Sequence, residues 1–383
     1  MKKAKLLLVA DTYYPKVDGT LRFMEEFVKR SREDFEISLL VPRIEKHAGA
    51  IPAGVRQIIF LEPSERISLS GYPIMKFTLK NFRLLRQAIR DAELVFIQGP
   101  GLISYLATRW AKKYGKKTIT YIHVLTWELF GKFLPPVLEP ILFPLMKHFF
   151  FSMYQKNDLI LVPYLQLKLK LEQEGIHARI AVAKLGVDIN RFAPSMKKEL
   201  AKKALGLEEK NIVIGYVGRI SREKNINILL NAFKKLTPRE ELTLLLVGNG
   251  PEEQKRACAQ LPHCQITGFV NNVEKYLQAM DIFVMPSLTE TTSLATLEAM
   301  ACGLPVVVTK VGFIPEYVKK EVNGIFFPKN NSSLLALKLA KLIDEPQLRE
   351  QLGKQARKTV AVAFSWERSI NKIKRLLMRE YLN

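Results

Sequence analysis

Short apolar or β-branched runs recur along the chain at residues 6–10, 37–41, 94–98, 117–121 and 159–162. They recur again at 212–217, 242–247, 265–267, 282–285, 306–308 and 324–327. Such runs suit strands buried on both faces and are too short for helices. Between them lie stretches with apolar residues at helical spacing, such as 21–32, 103–114, 227–236 and 293–301. Strands alternating with helices predict parallel sheets covered on both faces. The rhythm runs twice, on either side of residues 192–210, where Pro194, a lysine-rich stretch at 197–203 and Gly206 interrupt it. The expected organisation is α/β with two domains, 1–193 and 194–365, linked near 193–195. An amphipathic basic helix closes the chain at 366–383. No internal repeat and no low-complexity tract is present.

One region departs from this rhythm. Residues 127–154 are apolar and aromatic, with Trp127, Phe130, Phe133, Phe143, Phe149, Phe150 and Phe151. A helix that crosses a bilayer needs about 20 predominantly apolar residues. Pro135, Pro136, Pro140 and Pro144 break this stretch, and Lys132, Glu139 and Lys147 charge it, so no transmembrane helix is expected. Two readings stay open: a segment lying in a membrane interface, or a core helix with an ordinary loop. At the N-terminus, Lys2, Lys3 and Lys5 precede residues 6–10. That apolar run is too short for a signal peptide and Asp11 follows it, so a first buried strand is expected.

Hydrophobic residues make up 48% of the 383 and charged residues 25%, the profile of a folded protein. Charge adds more. The 59 Lys and Arg against 37 Asp and Glu give +22, which points to an anionic partner: nucleic acid, an anionic membrane surface or a phosphate-bearing substrate. No nucleic-acid motif and no concentrated basic tail accompany it, so no nucleic-acid partner is expected. Residues 76–90, with Lys76, Lys80, Arg83, Arg86 and Arg90, are a candidate for docking on a membrane, where each basic residue contributes about 1 kcal/mol. A solvated helix face accounts for the same residues. Cys258, Cys264 and Cys302, without a CxxC, suit a reduced, cytoplasmic compartment and argue against a disulfide framework or a zinc knuckle.

Three stretches carry chemistry. Pro286-Ser287-Leu288-Thr289-Glu290 leaves an expected strand and leads into a helix that holds Glu298. The turn Thr291-Thr292-Ser293 exposes backbone N–H groups at a helix N-terminus, a ready phosphate site, and any of the three residues is a candidate cap. Two carboxylates on either side of such a turn can grip hydroxyls flanking a bound diphosphate; a capped surface helix with two solvated glutamates is the plain alternative. Gly215-Tyr216-Val217-Gly218-Arg219, followed by Lys224, sets cations at another strand–helix turn, where they can neutralise a leaving diphosphate; ordinary surface basicity is the alternative. Val247-Gly248-Asn249-Gly250-Pro251 allows close backbone approach to a ligand, as it also allows a tight turn.

Taken in order, Arg219 with Lys224, residues 247–251, and Glu290 with Glu298 resemble the retaining glycosyltransferases of family 4. The likeness covers nearly the whole chain. It implies the GT-B architecture: two Rossmann-like domains facing a central cleft, with the C-terminal helix packing back on the N-domain. It also implies that the N-domain binds the acceptor and the C-domain a nucleotide sugar. Arg219 and Lys224 match the pair that holds the donor diphosphate, next to Gly218, with Gly248 and Asn249 in the following loop. Glu290 matches the first glutamate of the family's E-x7-E motif, beside the transferred sugar, and Glu298 the second, on the ribose. Thr292, Ser293 and Leu294 stand where backbone amides reach the phosphates; many relatives have a glycine-rich stretch there. Gly19 matches a loop glycine that approaches the donor phosphate. His123 stands where relatives place a histidine near the reacting sugar, and Trp127 follows it as a candidate wall of the acceptor pocket.

The Asp18-Gly19 pair with Arg22 resembles enzymes that glycosylate membrane lipids, such as diacylglycerol glucosyltransferases, sulfoquinovosyl lipid synthases and lipid-anchor mannosyltransferases. The implied reaction moves a hexose from a donor of the UDP-glucose or GDP-mannose type to a lipid hydroxyl with retention, catalysed by His123, Arg219, Lys224 and Glu290. Lys80 and Arg83 would meet an anionic membrane, with the enzyme peripheral on the inner face of the cell membrane. No DxD occurs, so no metal and no cofactor beyond the donor is expected. A soluble or polysaccharide acceptor is the nearest alternative; a non-catalytic relative or a nucleic-acid-binding protein is more remote.

Overall fold

The computed structural model describes residues 3–14, 19–44, 52–69, 72–99, 101–123, 127, 139–236, 239 and 241–382. The chain forms two compact units, Met1–Leu185 with Glu367–Asn383, and Gly186–Trp366.

The first unit is built on β1 (Ala4–Val9), β2 (Phe35–Pro42), β3 (Val55–Leu61), β4 (Pro63–Leu69), β5 (Tyr72–Met75), β6 (Leu94–Ile97), β7 (Lys117–Tyr121), β8 (Leu159–Val162) and β9 (Arg179–Val182). Seven of them form one sheet in the order β3-β2-β1-β6-β7-β8-β9, all parallel, while β4 and β5 pair antiparallel. The central strands are apolar throughout because helices cover both faces. On one face Leu7, Val9, Val95 and Ile97 pack with Leu85 and Ile89 of the helix Leu79–Asp91 and Ile103 and Ala107 of the helix Leu102–Lys113. Each of the Leu, Val and Ile side chains contributes about 1.5–3 kcal/mol.

The C-terminal helix Trp366–Leu382 joins this unit from Glu367 onward, as the resemblance implied. It buries Ile370, Ile373 and Leu377. Arg30 pairs with Glu367 at 3.0 Å and Lys374 with Asp34 at 2.8 Å, and Arg179 pairs with Glu380.

The second unit has β10 (Ile212–Val217), β11 (Leu242–Val247), β12 (Cys264–Ile266), β13 (Ile282–Met285), β14 (Val306–Thr309) and β15 (Ile325–Phe327), a parallel sheet ordered β12-β11-β10-β13-β14-β15. The direction of strand addition reverses at β10 and β13, which opens a crevice at their carboxyl ends, the usual ligand site of such sheets.

Residues 186–193, expected in the first domain, cluster with the second unit. Val187 N–H donates to the Phe364 carbonyl at 2.7 Å, and the Arg357 guanidinium donates to the carbonyls of Phe192, Ala301 and Ile189. The cysteine reading also changes. Cys258, at the end of the helix Glu252–Ala259, is disulfide-bonded to Cys264 at the start of β12. A tight turn with His263 at φ +57° folds the short connection back, a reversal the spacing of the cysteines did not announce.

Candidate functional site

Three loops leave the carboxyl ends of β10, β11 and β13. The first begins at Gly218, whose N–H donates to the Val247 carbonyl at 2.9 Å; Ile220 N–H donates to the Asn249 carbonyl at 2.8 Å. These bonds lace the first two loops together. Gly248 lies at φ +147°, and a Cβ there would run into the Gly218 carbonyl, so two backbones meet where no side chain fits. The Asn249 carboxamide oxygen accepts from Gly250 N–H at 2.9 Å and so shapes its own turn.

Lys224 ends a short 3-10 turn, Arg222–Lys224, that precedes the helix Ile226–Lys234. Its Nζ lies 2.6 Å from Glu290 Oε1. The Ser287 hydroxyl donates to the same oxygen at 2.8 Å, and the Thr309 hydroxyl donates to the Ser287 carbonyl at 2.6 Å. The Glu290 side chain is only 7% exposed, so the ammonium and the hydroxyl hold it in one orientation. Leu288 N–H donates to the Glu223 carbonyl at 2.8 Å, which ties the lysine turn to the loop after β13. Ser287 is buried and was not singled out from the sequence, although it lies within the stretch that ends in Glu290.

The helix Leu294–Ala301 starts from Ser293, a non-glycine residue at φ +56°. That backbone region is costly for a side-chain-bearing residue and is found where surrounding structure enforces it. Here the enforcement is visible. Tyr317 OH donates to the Thr292 carbonyl at 2.7 Å, and Phe313 N–H to the Thr291 carbonyl at 2.8 Å. Gly312, at φ +52°, lies so close that a Cβ would strike the Glu290 carbonyl. None of Thr291, Thr292 and Ser293 is shown capping the helix with its side chain: the Ser293 hydroxyl pairs instead with Thr296 Oγ1 at 2.8 Å. Thr296 N–H donates to the Ser293 carbonyl at 3.1 Å, and no side-chain cap is seen on the amides of Leu294 and Ala295, an arrangement of the kind that suits an anion. Burial raises the Tyr216 and Tyr317 phenols well above their ordinary range, with Glu290 adding to it. Both remain neutral donors, Tyr216 to the Arg219 carbonyl at 2.7 Å.

Arg219 stands apart from this cluster. Its side chain is 77% exposed and bonds Glu223 at 2.9 Å. Glu298 is half-buried on the helix, within electrostatic reach of the Cys302 thiol, which burial first and Glu298 second push up to about 12. That thiol is inert.

In the first unit the expected residues fall at the carboxyl ends of β1 and β7. Asp18 lies outside the described residues; Gly19 is the first residue of the helix Gly19–Ser31, and Arg22 is half-buried one turn on. His123 Nε2 lies 3.0 Å from Gln98 Oε1 after β6, and its ring is flanked by Phe23 and Tyr121. Desolvation lowers its pKa to about 3, so the ring is neutral at physiological pH. Asp11, read in the sequence only as the residue that follows the first apolar run, accepts N–H bonds from Gly101 at 2.8 Å and Ile103 at 2.9 Å, and a bond from the Ser104 hydroxyl at 2.5 Å. It caps the helix Leu102–Lys113 from another strand, which no local pattern reveals. Burial raises its pKa against those bonds.

One expectation changes. Trp127 is buried, with its ring 5.8 Å from Tyr154 in a core that includes Ile160 and Leu167, so it is a packing residue and not a pocket wall. Lys80 pairs with Glu62 at 2.7 Å but stays exposed, as does Arg83. Among the described residues no helix is long and apolar enough to cross a membrane, and no group of His, Cys, Asp and Glu could hold a metal ion.

Comparison with known proteins falls along the same division. The model described as glycosyltransferase family 4 matches residues 17–191, and that of glycosyl transferases group 1 matches residues 197–359. An uncharacterized glycosyltransferase of Methanocaldococcus jannaschii is 33% identical over 174 residues, 43% of this chain and 44% of that protein. A D-inositol 3-phosphate glycosyltransferase of Salinispora arenicola is 31% identical over 215 residues, 50% of this chain and 48% of that one. A sulfoquinovosyl transferase of Arabidopsis thaliana is 31% identical over 233 residues, covering 58% and 44%. The chain thus spans about half the length of the curated relatives it matches. The solved structure of Anabaena HepE with UDP-glucose superposes with a TM-score of 0.79 at 18% identity, over 98% of this chain and 99% of that one. Sucrose-phosphate synthase from Thermosynechococcus elongatus gives 0.80 at 18%, over 99% and 100%. At those identities the likeness is one of fold, and the fold is GT-B.

Proposed function

We propose, for a chain whose two halves carry the family 4 and the group 1 glycosyltransferase domains, that it transfers a hexose from a nucleoside-diphosphate sugar to a lipid hydroxyl with retention of configuration. One observation carries the donor half of this reading: Lys224 and the buried Glu290 pair at 2.6 Å beside the helix N-terminus at Ser293, on the carboxyl side of the sheet. Such a site offers fixed positive charge to a diphosphate and a fixed carboxylate to the sugar next to it.

In the proposed reaction the bond between the anomeric carbon and the phosphate oxygen breaks while the acceptor oxygen bonds to the same face of that carbon. The acceptor proton passes to the departing phosphate. Negative charge grows on the phosphate, where Lys224, Arg219 and the amides of Ser293 and Leu294 stabilise it. Thr292 is held through its carbonyl in the same turn, and Gly218 and Gly248 give the diphosphate close backbone approach. Glu298 is assigned to the ribose. Gly19 and His123 keep the roles by phosphate and sugar that the resemblance implies, and the neutral imidazole suits hydrogen bonding to a sugar hydroxyl better than charge stabilisation. The two cations stand in for a divalent metal, so turnover should persist in excess EDTA; its loss on chelation and return with added cation would remove this part.

The lipid acceptor, and a peripheral place on a cytoplasmic membrane face, are supported by the Asp18-Gly19…Arg22 resemblance and by the exposed row Lys76, Phe77, Leu79, Lys80 and Arg83. A second reading has support as well. Several relatives are D-inositol 3-phosphate glycosyltransferases, and a phosphorylated polyol would equally suit a cationic acceptor unit. The deciding experiment measures nucleoside diphosphate release from UDP-glucose and GDP-mannose, with lipid extract, with inositol phosphate and with neither. Release that needs lipid, with label passing into the organic phase, is the expected result. Release that needs inositol phosphate would replace the lipid by the polyol, and no release from either donor would remove both donors.

A further inference from the structure

We propose that the helix Glu139–Gln155 lies in the interface of an anionic bilayer, with Ile141, Leu142, Leu145 and Phe149 directed into the acyl region. The inference deepens the lipid-acceptor reading and rests on it for its purpose. At 100° per residue these four side chains fall within one 100° arc of the helix. Ile141 is 65% exposed and Leu145 64%, with Leu142 and Phe149 exposed beside them. The neighbouring arc, with Phe150, Met153 and Tyr154, is buried against Ile160, Leu167 and Leu171. A helix that is apolar on nearly every side is ordinarily buried on every side. This one is anchored in the core by one face and leaves a second apolar face in the open. Contiguous exposed apolar surface of this kind marks an interaction site. At 17 residues with Pro144 inside, the helix cannot span a bilayer.

Charge selects the occupant. The first unit holds 34 Lys and Arg against 19 Asp and Glu, the second 25 against 18, so most of the positive excess is on the unit that carries this helix. It also lies close by. Phe149 stacks on Tyr105 with ring centroids 4.1 Å apart. Tyr105, Arg109 and Lys112 occupy one face of the helix Leu102–Lys113 at spacings of four and three, and both cations are exposed. An apolar wedge beside exposed cations fits anionic headgroups above acyl chains. A second copy of so cationic a unit would instead bring like charges together.

The test is sedimentation with phosphatidylcholine vesicles containing 0 or 50% phosphatidylglycerol, at low and high salt. It compares the wild type, Ile141→Glu with Leu145→Glu, and Arg109→Glu with Lys112→Glu. Circular dichroism and the donor-dependent release of nucleoside diphosphate confirm that each variant is folded, and they report on the transferase reading separately. Expected are salt-sensitive binding of the wild type to the anionic vesicles only and a loss of at least tenfold in both double variants, with donor turnover in detergent-dispersed lipid retained. Equal binding by the wild type and the apolar-face variant would overturn the proposal. So would the absence of wild-type binding, or a concentration-dependent dimer without lipid that the same variant abolishes. If vesicle binding follows the expectation while no donor turns over, the docking stands and the transferase reading falls.

Discussion

Lys224 and Glu290 share a hydrogen bond at a place where the Glu290 side chain has little solvent, so each fixes the other. Removing the lysine deletes positive charge aimed at the leaving group and also leaves a carboxylate without its cation. Lys224→Ala should lower kcat about 100-fold, the loss typical of one preorganised electrostatic donor, and Arg219→Ala should lower it as well. Initial rates of nucleoside diphosphate release read both, and unchanged kcat in either variant would remove that residue from the assignment. His123 makes a pH prediction. Its folded pKa of about 3 lies below the ordinary 6.5 because the ring is desolvated. Between those values the unfolded chain binds the proton and the folded one does not, so stability falls as pH drops from 6.5 toward 3. Urea unfolding at pH 7, 6, 5 and 4 should show a shallower decline for His123→Phe than for the wild type; parallel declines would place the ring in solvent. Lys224, Glu290 and Ser293 were legible because each lies within a short run of chain that crosses from strand to helix. Ser287 and Asp11 were not, because their importance comes from partners on the same buried oxygen or at the start of a helix distant in the sequence.

The buried strands were readable because a strand covered on both faces must be apolar throughout. That one rule found β1, β6, β8, β10, β11 and β13. It passed over β3 and β9, which lie at the sheet edges with half-exposed residues, and the hairpin β4–β5. The C-terminal helix was legible as amphipathic, and the fold shows what its apolar stripe covers: Ile370, Ile373 and Leu377 are buried in the first unit. Ile373→Ala should therefore cost about 2–4 kcal/mol, seen as a lower unfolding midpoint, and a cost under about 0.5 kcal/mol would mean that the helix does not hold there. The disulfide has a simpler check. Titration of the unfolded protein should find one reactive thiol without reductant and three with it, since Cys302 alone is free. Three thiols without reductant would show that Cys258 and Cys264 are not joined. Its pairing was hidden because it depends on a left-handed residue, His263, that no hydrophobic pattern marks.

Two cores in one chain allow two unfolding events. Each unit has its own parallel sheet with its own helical layers, and the C-terminal helix ties the last residues of the chain to the first unit. The proposed donor groups of Lys224, Glu290 and the Ser293 turn all lie in the second. A nucleoside diphosphate that binds there should stabilise mainly that unit, by about 2.7 kcal/mol at a hundred times its Kd, since Gly19 is the one group of the first unit assigned to the phosphate. The tryptophans allow the units to be followed separately: Trp110 and Trp127 belong to the first, and Trp366 is the last residue of the second. In a Trp366→Phe variant, fluorescence reports the first unit only, while calorimetry reports both. The expected outcome is a fluorescence transition that moves little when UDP or GDP is added and a calorimetric transition that moves clearly upward. A fluorescence transition that moves together with the calorimetric one would mean that the units unfold as one or that the nucleotide is held by residues of the first unit as well. If neither moves with either nucleotide, the Lys224–Glu290 site does not bind a nucleoside diphosphate and the donor assignment falls with it.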